Sequence, residues 1–337
     1  MRWRTLAGVL IFTQLSAQVL PQFGEERVGI STAAALKFLG SARSAALVGA
    51  ALAVPDAAAS WLNPALAAEQ KGTYAVALVS QRFVAELWYH AACVGYRLAE
   101  PATLVLSAAT LSVPPIEETT ELRPYGTGRH FRFGHWNVGV TYAHRLTEQF
   151  AAGITLRYVQ ERWAEATLRG LVWDAGTLYW TGIGSLRLAV AISHFGFPLR
   201  AVGTVPTIRL PASAVQQRQD FQSFAPPTLF RIGAAAEVLQ TEAQRWTWAV
   251  AVEHPSDEAE SYAVASEYGI RFSAAFPAEL SFRAGIRANA PEWWAAGVGV
   301  ALPLTTVVLR IDYALSAREP VGLVWRLGCV LEPLRVP

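Results

Sequence analysis

From residue 73 to residue 332 the chain breaks into short segments in which every second residue is apolar, and the connections between them alternate between short and long. A period of two marks strands whose two faces meet different surroundings. A soluble sheet has no reason to gather its long connections at one end. A barrel crossing an outer membrane does, because its periplasmic turns are short and its outer loops long. The pattern predicts strands near 73–80, 86–97, 102–110, 134–146, 149–162, 167–180, 184–193, 227–238, 245–255, 262–274, 278–289, 293–302, 305–313 and 321–332. The expected fold class is all-β: a transmembrane antiparallel β-barrel of about fourteen strands.

The connections after even-numbered strands are short, among them 98–101, 147–148, 181–183 and 303–304. The two long ones, 111–133 and 194–226, both follow odd-numbered strands, which places them together on the extracellular side. Composition agrees. The chain is 53% hydrophobic and 16% charged, against about 25% charged in an average soluble domain. Yet it has no uninterrupted apolar run of the ~18 residues that a membrane helix needs; Ala45–Val54 is halted by Pro55-Asp56. A barrel strand spends only every second residue on lipid, so it produces this combination. The net charge of +2 offers no field for nucleic acid or another polyanion.

The first residues read as a secretory signal: Met1-Arg-Trp-Arg4 is basic, Thr5–Leu15 apolar, and cleavage is expected after Ala17. The resulting division is 1–17 signal peptide, 18–72 a small helical or irregular plug or periplasmic segment, and 73–337 barrel. Within 18–72, Pro55–Leu62 reads as a short helix halted by Asn63-Pro64, because a residue before proline avoids the helical region.

Parity assigns the barrel faces. In 150–158, Phe150, Ile154, Leu156 and Tyr158 face lipid while Thr155 and Arg157 face the lumen. The same argument turns Ile286 and Leu309 outward. It turns Arg157, Arg187, Arg231, Arg271, Arg283, Arg287 and Arg310 inward, with Asp174, Glu237, Glu253, Glu267 and Asp312 as partners. These charges read either as an internal ion-pair network that stiffens the barrel or, with Asp312 included, as a polar path for a solute or an amphiphile's head group. Trp136, Trp163, Trp180, Trp246, Trp293 and Trp294 lie near strand ends, as interfacial girdles require; Trp173 reads as mid-strand and buried, and parity puts mid-strand Trp325 on the lipid face with Leu327, Cys329 and Leu331. Cys93 and Cys329 fall on non-adjacent strands and read as unpaired wall residues.

No nucleotide-binding loop, zinc-ligand spacing or nucleophile elbow occurs. His130 and His135 are too few for a metal site and read as a solvated loop, and Glu117, Glu118 and Glu121 as an acidic loop patch. The expectation is a non-enzymatic protein with no catalytic residue, metal or cofactor.

Val28-Gly-Ile-Ser-Thr-Ala-Ala-Ala-Leu-Lys-Phe-Leu39, Ser41-Ala-Arg-Ser-Ala-Ala46 and Trp61-Leu-Asn-Pro-Ala65 resemble the N-terminal signature of the PorV/PorQ family, with Asn63 and Pro64 at its end. Weaker likeness follows at Tyr142–Thr147, Asp174–Tyr179 and Ile311–Leu315. That resemblance implies a barrel similar to the fatty-acid transporter FadL, located in the outer membrane, that binds or shuttles exported protein cargo in type IX secretion. Cargo or secretion components would then meet the long loops, where Asp220, Phe221 and Phe224 offer a partner-binding surface. The alternative is a FadL-like channel for hydrophobic small molecules. Both place the barrel wall against outer-membrane lipid.

Overall fold

A computed structural model describes residues 28–83, 86–164, 166–203, 221–272 and 278–334. Fourteen antiparallel strands close into one barrel: β1 (Tyr74–Arg82), β2 (Trp88–Ala99), β3 (Ala102–Ser112), β4 (Phe133–Arg145), β5 (Phe150–Trp163), β6 (Ala166–Trp180), β7 (Arg187–Phe195), β8 (Leu229–Gln240), β9 (Gln244–Pro255), β10 (Ser261–Arg271), β11 (Glu279–Ala288), β12 (Glu292–Pro303), β13 (Val307–Arg318) and β14 (Gly322–Pro333). Each strand pairs with its neighbour in sequence, and β1 closes the sheet against β14, with Val76 opposite Leu331 and Arg82 opposite Trp325. Closure removes the unpaired edges that lipid could not satisfy. Among the described residues no helix is long and apolar enough to cross a membrane; the crossing is made by strands of 9–15 residues, and about 9–11 tilted residues suffice.

The expected asymmetry of the connections is present. Both long connections, 113–132 and 196–228, leave the ends of odd-numbered strands and therefore lie at one end. That end is taken as extracellular. The first carries a two-rung hairpin, Ile116–Glu117 against His130–Phe131. The second folds back: Leu199–Gly203 extends the sheet alongside the outer end of β6, and Ser223–Phe224 pairs with it. Asp220 lies outside the described residues. Phe221 packs with Trp163, Leu168 and Leu199, so it is committed to the loop's own core, while Phe224 stays exposed.

Parity holds along the wall. Leu156, Ile286 and Ile311 are exposed outward, and the intervening Arg157, Gly285 and Asp312 turn into the lumen. Three tryptophans differ from the sequence expectation. Trp173 is exposed on the lipid face rather than buried, whereas Trp325 lies on the lipid face that parity gives it. Trp180 turns inward, where Arg187 sits 4.8 Å over its ring, and Trp163 joins the outer loop core. Trp and Tyr are amphipathic, so either a lipid interface or a charged mouth satisfies them, and position along a strand does not choose. His135 is also corrected. It belongs to β4, not a solvated loop, and is buried against Glu161, whereas His130 is exposed. Cys93 and Cys329 are free.

Candidate functional site: the plugged lumen

A barrel of eight strands fills its interior with its own side chains, and a wider one leaves space. Here residues 28–72 occupy that space. The segment has no amphipathic period and forms only short turns. The α-helix Ala42–Ala46 is capped by Ser41, whose Oγ accepts from the Ser44 N–H at 3.2 Å. Four 3₁₀ turns accompany it. The helix expected over Pro55–Leu62 is only the turn Ala59–Trp61. Asn63-Pro64 ends it and starts the next turn, Pro64–Glu69, with the proline at its first position and the Asn63 side chain accepting from the Ala65 N–H at 3.0 Å.

Asn63 has no exposed surface. Its amide donates to the Leu52 carbonyl at 3.2 Å and to the Thr177 carbonyl of β6 at 3.1 Å, joining plug to wall. Facing it are two glycines. A Cβ on Gly176 would lie 2.0 Å from Asn63 Oδ1, and one on Gly153 would lie 2.5 Å from the Pro64 carbonyl carbon. The plug backbone thus sits against the wall where the wall has no side chain. Around this point the lumen's waist is apolar: Leu47, Leu52, Leu62 and Leu66 of the plug pack on Ala77, Ala143, Ala151, Leu178, Ala189 and Ala249 of the wall.

Charged groups lie on both sides of the waist. The largest cluster is a closed ring of alternating sign. Arg43 of the plug donates from Nε and Nη2 to both oxygens of Glu267, each at 2.7 Å. Arg283 donates to the same carboxylate at 2.6 Å and to Asp312 at 2.7 Å. Arg310 donates to Asp312 at 2.9 Å and to Asp56 of the plug. Asp56 lies 3.8 Å from Arg43, which closes the ring. Two members come from the plug and four from β10, β11 and β13. Burial alone would push the Asp56 carboxyl up, but the Arg310 and Arg43 charges outweigh it and hold it below the usual carboxylate range. Arg245 extends the cluster to Glu267 and Glu279, and Arg271 reaches Glu279 at 3.1 Å. Arg271 is half-exposed at the periplasmic mouth rather than enclosed in the lumen.

A second cluster anchors the plug on β4–β6. Arg157 donates to Asn137 and to Asp174, both at 3.0 Å, and lies 4.6 Å over the ring of Trp61. His135 contacts Glu161 at 3.1 Å, and Glu161 accepts from the Ala33 N–H at 3.3 Å, where Ala33 has φ 57°. Elsewhere Arg231 and Arg287 share Glu253, each at 2.5 Å, and Arg187 meets Glu237 at 2.7 Å. Each inward arginine therefore has a carboxylate partner.

Sequence parity points to these arginines but not to Arg43 and Asp56, which lie in a segment without period. Small cavities remain between plug and wall, among them one of about 290 Å³ beside Glu69, Lys71, Arg97 and Arg145. Another, of about 60 Å³, lies on the outer side beside Arg231, Glu253 and Arg287. A third, of about 210 Å³, lies on the periplasmic side beside Arg43, Asp56 and Arg310. Among the described residues no group of His, Cys, Asp and Glu is arranged to hold a metal ion.

No protein-family model and no curated protein sequence matches the chain. Solved structures do. The toluene transporter TodX of Pseudomonas putida superposes with a TM-score of 0.54 at 9% identity, over 87% of this chain and 98% of that one. The toluene transporter TbuX of Ralstonia pickettii gives 0.52 at 10% identity, over 86% and 96%. At such identities the likeness concerns architecture alone: the chain shares the fold of these barrels.

Proposed function

We propose that the protein is a plug-gated outer-membrane channel for hydrophobic small molecules. The chemistry of the lumen's waist carries this reading. A water-filled diffusion pore has a polar interior. Here the middle of the wall is alanine, valine and leucine, covered by an apolar plug that charged clusters hold in place. Shifting the plug uncovers an apolar passage between charged ends, which favours a solute with little affinity for water. The fold shared with two toluene transporters supports the same solute class.

The cargo-shuttle reading implied by the PorV/PorQ resemblance is weaker. The motif behind it includes Asn63-Pro64, which is buried against β5 and β6 and offers a partner no surface. One observation does favour a macromolecular partner: Leu122 and Tyr125, in the outer loop 113–132, are 94% and 98% exposed. Uptake of labelled toluene and oleate into proteoliposomes separates the two readings. Uptake above that of empty liposomes, raised further by Gly176→Leu, is expected for the channel. No uptake by either protein, with secreted protein co-purifying and lost on Leu122→Ser/Tyr125→Ser, would replace it with the cargo reading.

A further inference from the structure

The lipid-facing surface is not uniform. Over most of the wall the outward residues at mid-height are large, as at Leu156, Leu171, Val190, Ile232, Val250 and Ile286. Across β14, β1, β2, β3 and β4 they are small. Register aligns Cys329, Leu78, Ala92, Ala108 and Val138 in one row, and Leu327, Ser80, His90, Thr110 and Trp136 in the row above it. Small side chains between larger ones leave a trough of about 610 Å³ on the outside of the barrel.

The next row, nearer the extracellular end, is Trp325, Arg82, Trp88, Ser112 and Gly134. Arg82 is exposed and outward-facing. It lies 5.5 Å over the Trp88 ring, and His90 stacks on Trp88 at 5.8 Å with an interplanar angle of 8°. No carboxylate pairs with Arg82 among the described residues, in contrast to the lumen arginines. A guanidinium at the outer interface, directly above an apolar trough, matches an amphiphile with a phosphate at one end and hydrocarbon at the other. Arginine recognises phosphate through its fork of N–H donors, and the trough gives an acyl chain more contact than a convex wall does.

We propose that this face is a binding site for a phosphate-bearing lipid of the outer leaflet, with the phosphate on Arg82 and one acyl chain in the trough over Ala92 and Ala108. The bilayer covers this face in any event; the proposal concerns which lipid is held. It is independent of what passes through the lumen.

The test is native mass spectrometry of the purified barrel, titrated with bis-phosphorylated lipid A, its dephosphorylated form and phosphatidylglycerol. One bound phosphorylated lipid A per barrel is expected, retained better than the other two. Arg82→Gln weakens it about fivefold, the effect of one interfacial cation, and Ala108→Phe, which fills the trough, abolishes retention. Arg169→Gln, which removes an exposed charge at the outer end of β6, leaves it unchanged. Heat-modifiable migration on gels confirms that each variant is folded. Equal retention of the dephosphorylated lipid or of phosphatidylglycerol, or equal effects of the two arginine variants, would overturn the proposal. So would a doubled mass lost on Ala108→Phe, which would make a second barrel the occupant.

Discussion

Replacing Glu267 by glutamine tests the idea that the charged ring holds the plug. Glu267 is 1% exposed and accepts from Arg43, Arg283 and Arg245. Glutamine keeps the shape but loses the charge, and its amide turns donors toward donors. Removing one partner of a buried ion cluster costs about 3–5 kcal/mol, because the remaining charges stay desolvated. Breaking an exposed pair such as Arg97–Glu100 costs under ~1 kcal/mol. The fourteen-strand ladder does not depend on Glu267, whereas the plug is tied to the wall through it. The cost therefore falls on the closed arrangement, and about 4 kcal/mol raises the ratio of open to closed plug roughly a thousandfold. In a background lacking Cys93 and Cys329, a cysteine at buried Ala58 should react with a water-soluble maleimide far faster in Glu267→Gln than in its parent, and channel openings should appear in planar bilayers. Glu100→Gln, which breaks that exposed pair without touching the plug, should change neither. A Glu267→Gln barrel as silent and protected as the parent would refute the latch. Combining Arg43→Met with Glu267→Leu should recover part of the loss, since a well-packed apolar pair can replace a buried ionic one.

Gly153→Ala and Gly176→Ala should each lift the Asn63-Pro64 turn off the wall at a cost of about 1–3 kcal/mol, read as faster labelling at position 58 in a barrel that stays heat-modifiable. Asn63→Ala removes three hydrogen bonds at a position with no access to water and should cost about 1–3 kcal/mol in the same assay. Lipid-phase thiol reagents should modify cysteines at Leu156 and Ile286 but not at Thr155 or Gly285; the reverse would overturn the assignment of faces. Because the folded-state Asp56 carboxyl is depressed, its contribution is fully present above the unfolded value of about 4 and is lost as pH falls through the lower folded one. Plug protection should therefore persist at pH 5 and fail only in stronger acid, where Asp56→Asn and the parent converge; loss of protection between pH 5 and 6 would contradict this.

The wall was readable because a strand writes its environment into the sequence at period two. Parity brings Arg283 beside Glu267 and Asp312, and Arg157 beside Asp174, without any knowledge of contacts. The plug was not readable in that way. Its residues are buried from all sides by a wall distant in sequence, so Arg43 and Asp56 look like ordinary polar residues in an alanine-rich stretch. Asn63-Pro64 stood out, but only its placement opposite Gly153 and Gly176 explains why those two residues are adjacent. His135 was misread for a different reason: it falls inside the strand expected at 134–146, but the glycines and arginines of Gly128–His135 resemble loop.

The plug precedes the barrel in the chain, yet the seam that encloses it is formed last in sequence, by residues 76–82 against 325–331. The Arg310–Asp56 contact likewise joins positions 254 residues apart. Arg43 and Asp56 find their partners on β10 and β13, so the plug can be seated only once those late strands are in place. Seating of residues 28–72 is therefore expected no earlier than growth of the sheet around them. Contacts this distant form late, so protection of the plug and pairing of β1 with β14 should appear as one kinetic event during refolding. A plug that becomes protected well before the seam closes would show that the segment instead acts as the template on which the sheet is built.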